Sequence, residues 1–198
     1  MSTLTARAVI LGLALVACSK SQASTADGAP DGGGWVASSD PAVEALWVRA
    51  MSDAGSGDDL ARLADREGGG GLAARGSVDA ATRMTALRAM AFAPEPQVFE
   101  GLPFLADVAR GTNDDEANIA LDSAIDLAAR PRRAVDPEDA AELKRGCDGL
   151  LALAVDREAG AKSPKMLARR VKAIRALRML VERGCVDPAA IPTDADAH

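Results

Sequence analysis

Three thiols, one imidazole and several lines of carboxylates and guanidinium groups could do chemistry in this 198-residue chain. The thiols belong to Cys18, Cys147 and Cys185, and the single histidine is His198, the terminal residue. Ser/His/Asp and Cys/His hydrolysis and multi-histidine metal binding all need imidazoles held within a core, so these classes are excluded. Aromatic residues make up 3% of the chain and tyrosine is absent, which leaves little for stacking bases or sugars. Asp58 and Asp59 stand where a helix start favours negative charge. Asp115, Asn118, Asp122 and Asp126 fall at i, i+3, i+7 and i+11, an acidic stripe on one helical face. Calcium needs oxygens converging within about 2.5 Å of one point, which a straight helix face does not supply. The stripe is expected to be solvated or paired with cations. No base, nucleophile and oxyanion donor fall into a catalytic arrangement. The expectation is a protein that is not an enzyme and needs no metal or cofactor.

Cys18 has a distinctive setting. Arg7 precedes an apolar run of ten residues, Ala8 to Ala17, too short to span a bilayer as a permanent helix. The run ends in Leu15-Val16-Ala17-Cys18, which resembles the lipobox of bacterial lipoproteins at every position. The resemblance implies that the Cys18 thiol is diacylated, that residues 1–17 are removed as a signal peptide, and that the new amino group is open to acylation. An ordinary signal peptide cut near Ala17 is the alternative. Ser19 is not the aspartate that marks inner-membrane retention in such proteins. The implied location is therefore the bacterial envelope, on the periplasmic face of the outer membrane, with the membrane a partner through Cys18. The formal charge is −6, and −7 once Arg7 is removed, which excludes nucleic acid as a general partner.

The elements follow from composition and period. Residues 18–39 are rich in Ser, Ala, Gly and Asp and predict a flexible linker, about 25 Å in r.m.s. span. Trp35 inside it either docks on the first helix or sits at the membrane interface. Asp40-Pro41 is an N-cap followed by proline and opens a folded domain over 40–191. Helices are predicted from Pro41, from Asp58, over 78–92, through a segment broken at Gly101 and Pro103, from Asn113, from Asp136-Pro137, and from Ser163-Pro164 to a cap at Gly184. Gly68 to Gly71 reads as a flexible loop, because the GxxxxGK[ST] context of a phosphate loop is missing. Asp187-Pro188 opens one further turn, and 192–198 reads as a disordered acidic tail. No stretch alternates with period two, so the fold class is all-α.

Arg83-Ala86-Ala89-Met90, Asn118-Leu121-Ala124-Ile125 and Arg170-Ala173-Ala176-Leu177 superimpose at offsets of 35 and 52 residues. Asp79 and Asp114 lie four residues before the first two. The pattern resembles the first-row helix of HEAT-type repeats, and a degraded copy lies around Ala42, Ala45 and Leu46. The resemblance implies a short array of antiparallel helix pairs, an α-solenoid. An irregular helical bundle is the alternative. In that family the aspartate and arginine places form a polar ladder; here the second copy lacks the arginine and the third the aspartate.

The helix from Pro164 carries Lys165, Arg169, Arg170, Lys172, Arg175, Arg178 and Arg183 against Glu182. Arg169, Lys172, Arg175 and Arg178 are the candidate interaction face, for anionic headgroups or an acidic partner; the competing reading pairs them with the acidic stripe. Cys147 and Cys185 are expected to be free thiols. In a simple hairpin Cys147 lies opposite Ile174, about 16 Å along the helix from Cys185, whereas a disulfide needs Cα atoms within about 7 Å. The expected function is a membrane-anchored, non-catalytic scaffold that binds another protein. A carboxylate-dependent enzyme or maturation factor, and a lipid or small-ligand carrier, are the alternatives.

Overall fold

The structure is a computed structural model and describes residues 39–52, 56–95, 97–130 and 137–193. Leu15 to Cys18, Trp35 with the rest of 18–38, and tail residues 194–198 lie outside the described residues. Within them the fold is all-α: α1 (Pro41–Met51), α2 (Gly57–Val78), α3 (Ala80–Met90), α4 (Val98–Ala109), α5 (Asp114–Ala128), α6 (Pro137–Val155), α7 (Arg157–Lys162) and α8 (Pro164–Leu180). No helix among the described residues is long and apolar enough to cross a membrane. The starts follow local chemistry. Asp40 accepts the N–H of Ala42 at 2.8 Å, and Ser56 and Asp59 form a reciprocal capping box. Asn113 accepts from Asp115 and Glu116 at the head of α5. Each satisfies N–H groups that a helix start leaves without partners.

The helices form two rows. Gly69 lies against Gln97–Gly101 and Gly76 against Phe104, so α2 and α4 run in the same direction. Gly146 lies against Leu102 and Gly149 against Ala106, which extends that row to α6. In the second row Arg83 meets Glu116 and Leu87 meets Ser123, placing α3 parallel to α5. Asp114 meets Lys165 and Arg169, and Asp122 meets Lys172, placing α5 parallel to α8. The chain thus makes three antiparallel pairs, α2/α3, α4/α5 and α6/α8, stacked side by side. Helix α1 runs antiparallel to α2 through Glu44–Arg75, Trp47–Glu67 and Arg49–Asp59. Between the rows lies one core, with Leu63, Leu87, Phe99, Leu121, Leu150 and Leu177 almost wholly buried. The small residues of the superimposed pattern, Ala86, Ala89, Ala124, Ala173 and Ala176, are buried as well and let neighbouring helices approach closely.

Three expectations are corrected. Gly68 to Gly71 is not a loop. These residues are buried inside α2, which kinks at Gly68 (φ 64°, ψ −177°). A Cβ on Gly69 would lie 2.2 Å from the Gln97 carbonyl oxygen, so the run lets two backbones touch. Helix α4 is continuous across Gly101 and Pro103. The third correction concerns the cysteines: Cys147 and Cys185 form a disulfide, with Cα atoms 6.1 Å apart. Helix α8 stops at Leu180, a 3-10 turn covers Val181–Arg183, and Gly184 in the left-handed region (φ 75°) reverses the chain. The separation expected from the sequence assumed an uninterrupted α-helical rise, which this reversal cancels. Beyond it, Asp187 caps the turn Pro188–Ala190, and Ile191 is 9% exposed, folded back onto the core.

Candidate functional surfaces

The face proposed from the sequence lies on the outside of the second row, and the structure divides it. Arg169 is 2% exposed. Its guanidinium donates to the carbonyl of Gly111 at 2.7 Å and to Asp114, so it is an internal strut and not part of an exposed face. Arg170, likewise 2% exposed, donates to the carbonyl of Ala154 at 3.1 Å. Lys172 is half-buried and pairs with Asp122 at 2.8 Å. Arg175 and Arg178 are exposed, and Arg178 donates to the Pro192 carbonyl at 3.3 Å. Sequence period cannot separate Arg169 from Arg175, because an arginine long enough to reach a neighbouring helix end can leave an outward stripe.

A polar ladder crosses this row, partly through the superimposed places Arg83 and Asp114 and partly through residues beside such places. Asp79 caps its own helix by accepting the N–H of Thr82. Arg83 donates to the Gly76 carbonyl at 3.0 Å and to Glu116 at 3.4 Å. Asp114 then takes Lys165 at 2.5 Å together with Arg169. Hydrogen bonding from Lys165, then from Arg169, holds the Asp114 carboxyl below the usual value, and the same contact raises Lys165. The sequence did not place Glu116 and Arg169 in the ladder, because each lies one or two positions from the superimposed places. Of the acidic stripe, Asp122 is paired across the row, while Asp115 and Asp126 are exposed.

At the other end of the pairs a buried cluster joins three elements. Arg183 has a side chain only 2% exposed and donates to Glu95 at 2.9 Å and to the Arg130 carbonyl at 3.3 Å. Its guanidinium carbon lies 4.8 Å from the centre of the Phe99 ring, a cation–π contact. Arg130 donates to the carbonyls of Ala91 and Ala93, and burial pulls its pKa down. Residues 91–95 after α3, the end of α5 and the turn after α8 therefore meet on two arginines.

The first row carries an open groove of about 330 Å³ between α4 and α6, lined by Pro103, Ala106, Asp107, Arg110, Arg145 and Asp148. On α4, Glu100 has its pKa raised by burial, with Asp139 and Glu142 adding to the rise, although its carboxylate accepts the N–H of Gly70 at 3.3 Å. A second open cleft, about 300 Å³, lies between α1 and α2 beside Val43, Leu46, Arg62 and Arg66. Among the described residues no three acidic, histidine or cysteine side chains converge as a metal site. The described cysteines are held in the disulfide, and the buried Ser123 hydroxyl is committed to the Leu87 carbonyl at 2.8 Å.

Compared with protein-family models, with curated proteins and with solved structures, the chain matches none.

Proposed function

We propose that this protein is a lipid-anchored, non-catalytic helical-repeat scaffold. Acylated at Cys18, it holds its helical domain at the periplasmic face of the outer membrane and binds another protein there. The observation that carries the scaffold reading is the pair of parallel helix rows. They are assembled from stacked helix pairs, an arrangement that offers an extended surface in which each pair contacts only its neighbours. The HEAT resemblance agrees with that arrangement, although its ladder runs through Glu116 and Arg169. The lipobox Leu15-Val16-Ala17-Cys18 supplies the anchor, and the buried Cys147–Cys185 disulfide supports an oxidising compartment. The groove between α4 and α6 is the surface assigned to the partner, since its alternating Asp107, Arg110, Arg145 and Asp148 suit a polar protein surface.

Two measurements test this reading. Cys18→Ser is expected to move the protein from the detergent phase to unprocessed or soluble forms; unchanged partitioning and mass would remove the anchor. Crosslinking in intact membranes followed by pulldown is expected to recover a reproducible partner, lost when Asp107 and Arg145 are reversed in charge. Failure to recover any partner would remove the scaffold.

A further inference from the structure

The open cleft between α1 and α2 lies where the chain enters the fold, since Asp40, the N-cap of α1, is one of the residues that line it. Val43 and Leu46 line it from α1, and Arg62, Asp65 and Arg66 from α2. Arg62 and Arg66 are exposed, and among the described residues neither makes a hydrogen bond or an ion pair. Arg49, also beside the cleft, is already paired with Asp59 at 3.4 Å. Asp40 and Asp65 balance the charge of Arg62 and Arg66, so the cleft has no excess with which to select an anion. It suits a neutral group whose face takes a cation and whose edge donates to a carboxylate. The same two helices already hold one indole in this way: Trp47 donates its N–H to Glu67 at 2.9 Å, and Arg75 lies 5.5 Å from the centre of its ring. We propose that the cleft binds the second tryptophan of the chain, Trp35, so that the segment before Asp40 folds back along α1 and straps it to α2.

Chain length selects this occupant. Trp35, outside the described residues, stands five positions before Asp40. Five extended residues span at most about 17–18 Å. Helix α1 rises 1.5 Å per residue, which places Leu46 only about 9 Å from Asp40 along its axis. Trp35 therefore reaches the cleft beside Leu46 with chain to spare for the reversal. The cleft holds about 300 Å³, room for one indole. A partner helix, about 10–12 Å across with its side chains, is too large for it. Being joined to the cleft by so short a stretch, Trp35 also competes at an effective concentration of about millimolar. Docked, the chain is fixed from Trp35 onward, so that the tether starts at residue 34. Helix α1, which packs chiefly against α2, thereby gains a second hold on it.

Acrylamide quenching of tryptophan emission tests this on the full chain carrying Cys18→Ser. Its two tryptophans are Trp35 and Trp47, and Trp47 is 1% exposed. With Trp35 docked, the parent shows no readily quenched component. Arg62→Asp together with Arg66→Asp removes both cations from the ring face and is expected to release Trp35. Roughly half of the emission, one indole of two, then becomes readily quenched and shifts to the red. The same two substitutions in a Trp35→Ala background are expected to create no such component, which ties the signal to Trp35 and shows that Trp47 stays buried. Should that background show one too, the fold has opened, and Arg62→Gln with Arg66→Gln decides instead. A parent that already shows the readily quenched half overturns the proposal. So does a shielded Trp35 that the cleft substitutions fail to release, because the ring then lies elsewhere. Shielding lost on dilution overturns it in favour of a second copy, and quenching of Trp35 by vesicles of brominated phosphatidylglycerol overturns it in favour of the membrane interface. The docking rests on neither the anchor nor the groove between α4 and α6, so its failure leaves both to their own measurements.

Discussion

Arg183 shows how much one side chain can hold. It lies two residues before Cys185, stacks on Phe99 and neutralises Glu95, whose side chain is 7% exposed. Removing one member of a buried ion pair strands the other, at a cost of about 3–5 kcal/mol, whereas replacing both by apolar groups often costs far less. Arg183→Leu is therefore expected to destabilise by about that amount, and Arg183→Leu with Glu95→Leu by clearly less; urea unfolding of both decides. A double variant as unstable as the single one would show that Phe99 and the Arg130 carbonyl matter more than charge balance. Asp114 gives a pH signature. Its folded pKa is depressed, so its contribution is present above its ordinary 3.8 and is lost as pH falls through the folded value. The stability gap between the parent and Asp114→Asn should be open at neutral pH and close in acid, read from melting curves. The sequence marked Asp114 only as an aspartate place of the repeat, and the Arg183 cluster was not legible at all. Arg183 read as one cation in a basic helix, because its partners lie 88 and 53 positions earlier.

At the scale of elements, the sequence showed starts better than interruptions. Asp40-Pro41, Asn113 and Gly184 announce their roles because each acts on backbone within a few residues of itself. The run Gly68 to Gly71 does not. Four glycines mark either a loop or a place where another backbone must come close, and only the position of α4 distinguishes them. Gly69→Ala is expected to destabilise by about 1–3 kcal/mol or more, since its methyl would overlap the Gln97 carbonyl; a variant melting with the parent would mean that the kink is free to move. The disulfide was missed because the end of α8 was read as continuous helix. It closes a 38-residue separation, for which loop entropy gives about 4 kcal/mol. Reduction should lower the urea midpoint accordingly, and alkylation of non-reduced, denatured protein should leave Cys147 and Cys185 unlabelled. Labelling of both without reductant would show that the bridge does not form.

For the whole molecule, all-α class and paired helices were legible because period 3.6 and short connections are local facts. The partition of the basic helix was not, since it depends on which neighbour each arginine reaches. The stacking predicts graded stability. Helix α4 is packed closely against α2, α5 and α6, whereas α1 packs chiefly against α2 and more sparsely against α3. Native-state hydrogen exchange should therefore find the strongest protection in α4 and the weakest in α1. Uniform protection would mean that the array opens only as a unit.

The clamp made by Arg183 and Cys185 also has an order in time. Synthesis delivers a chain from its amino end, and both residues follow α1 to α8. Until they emerge, Glu95 lacks the guanidinium that donates to it, the Cys147 thiol has no partner, and nothing past α8 folds back to seat Ile191. The earlier pairs can collapse while the nascent chain grows, but they are fastened only afterwards. A messenger cut short just beyond Leu180 would yield a product with α1 to α8 encoded and this clamp missing, a readier substrate for proteases.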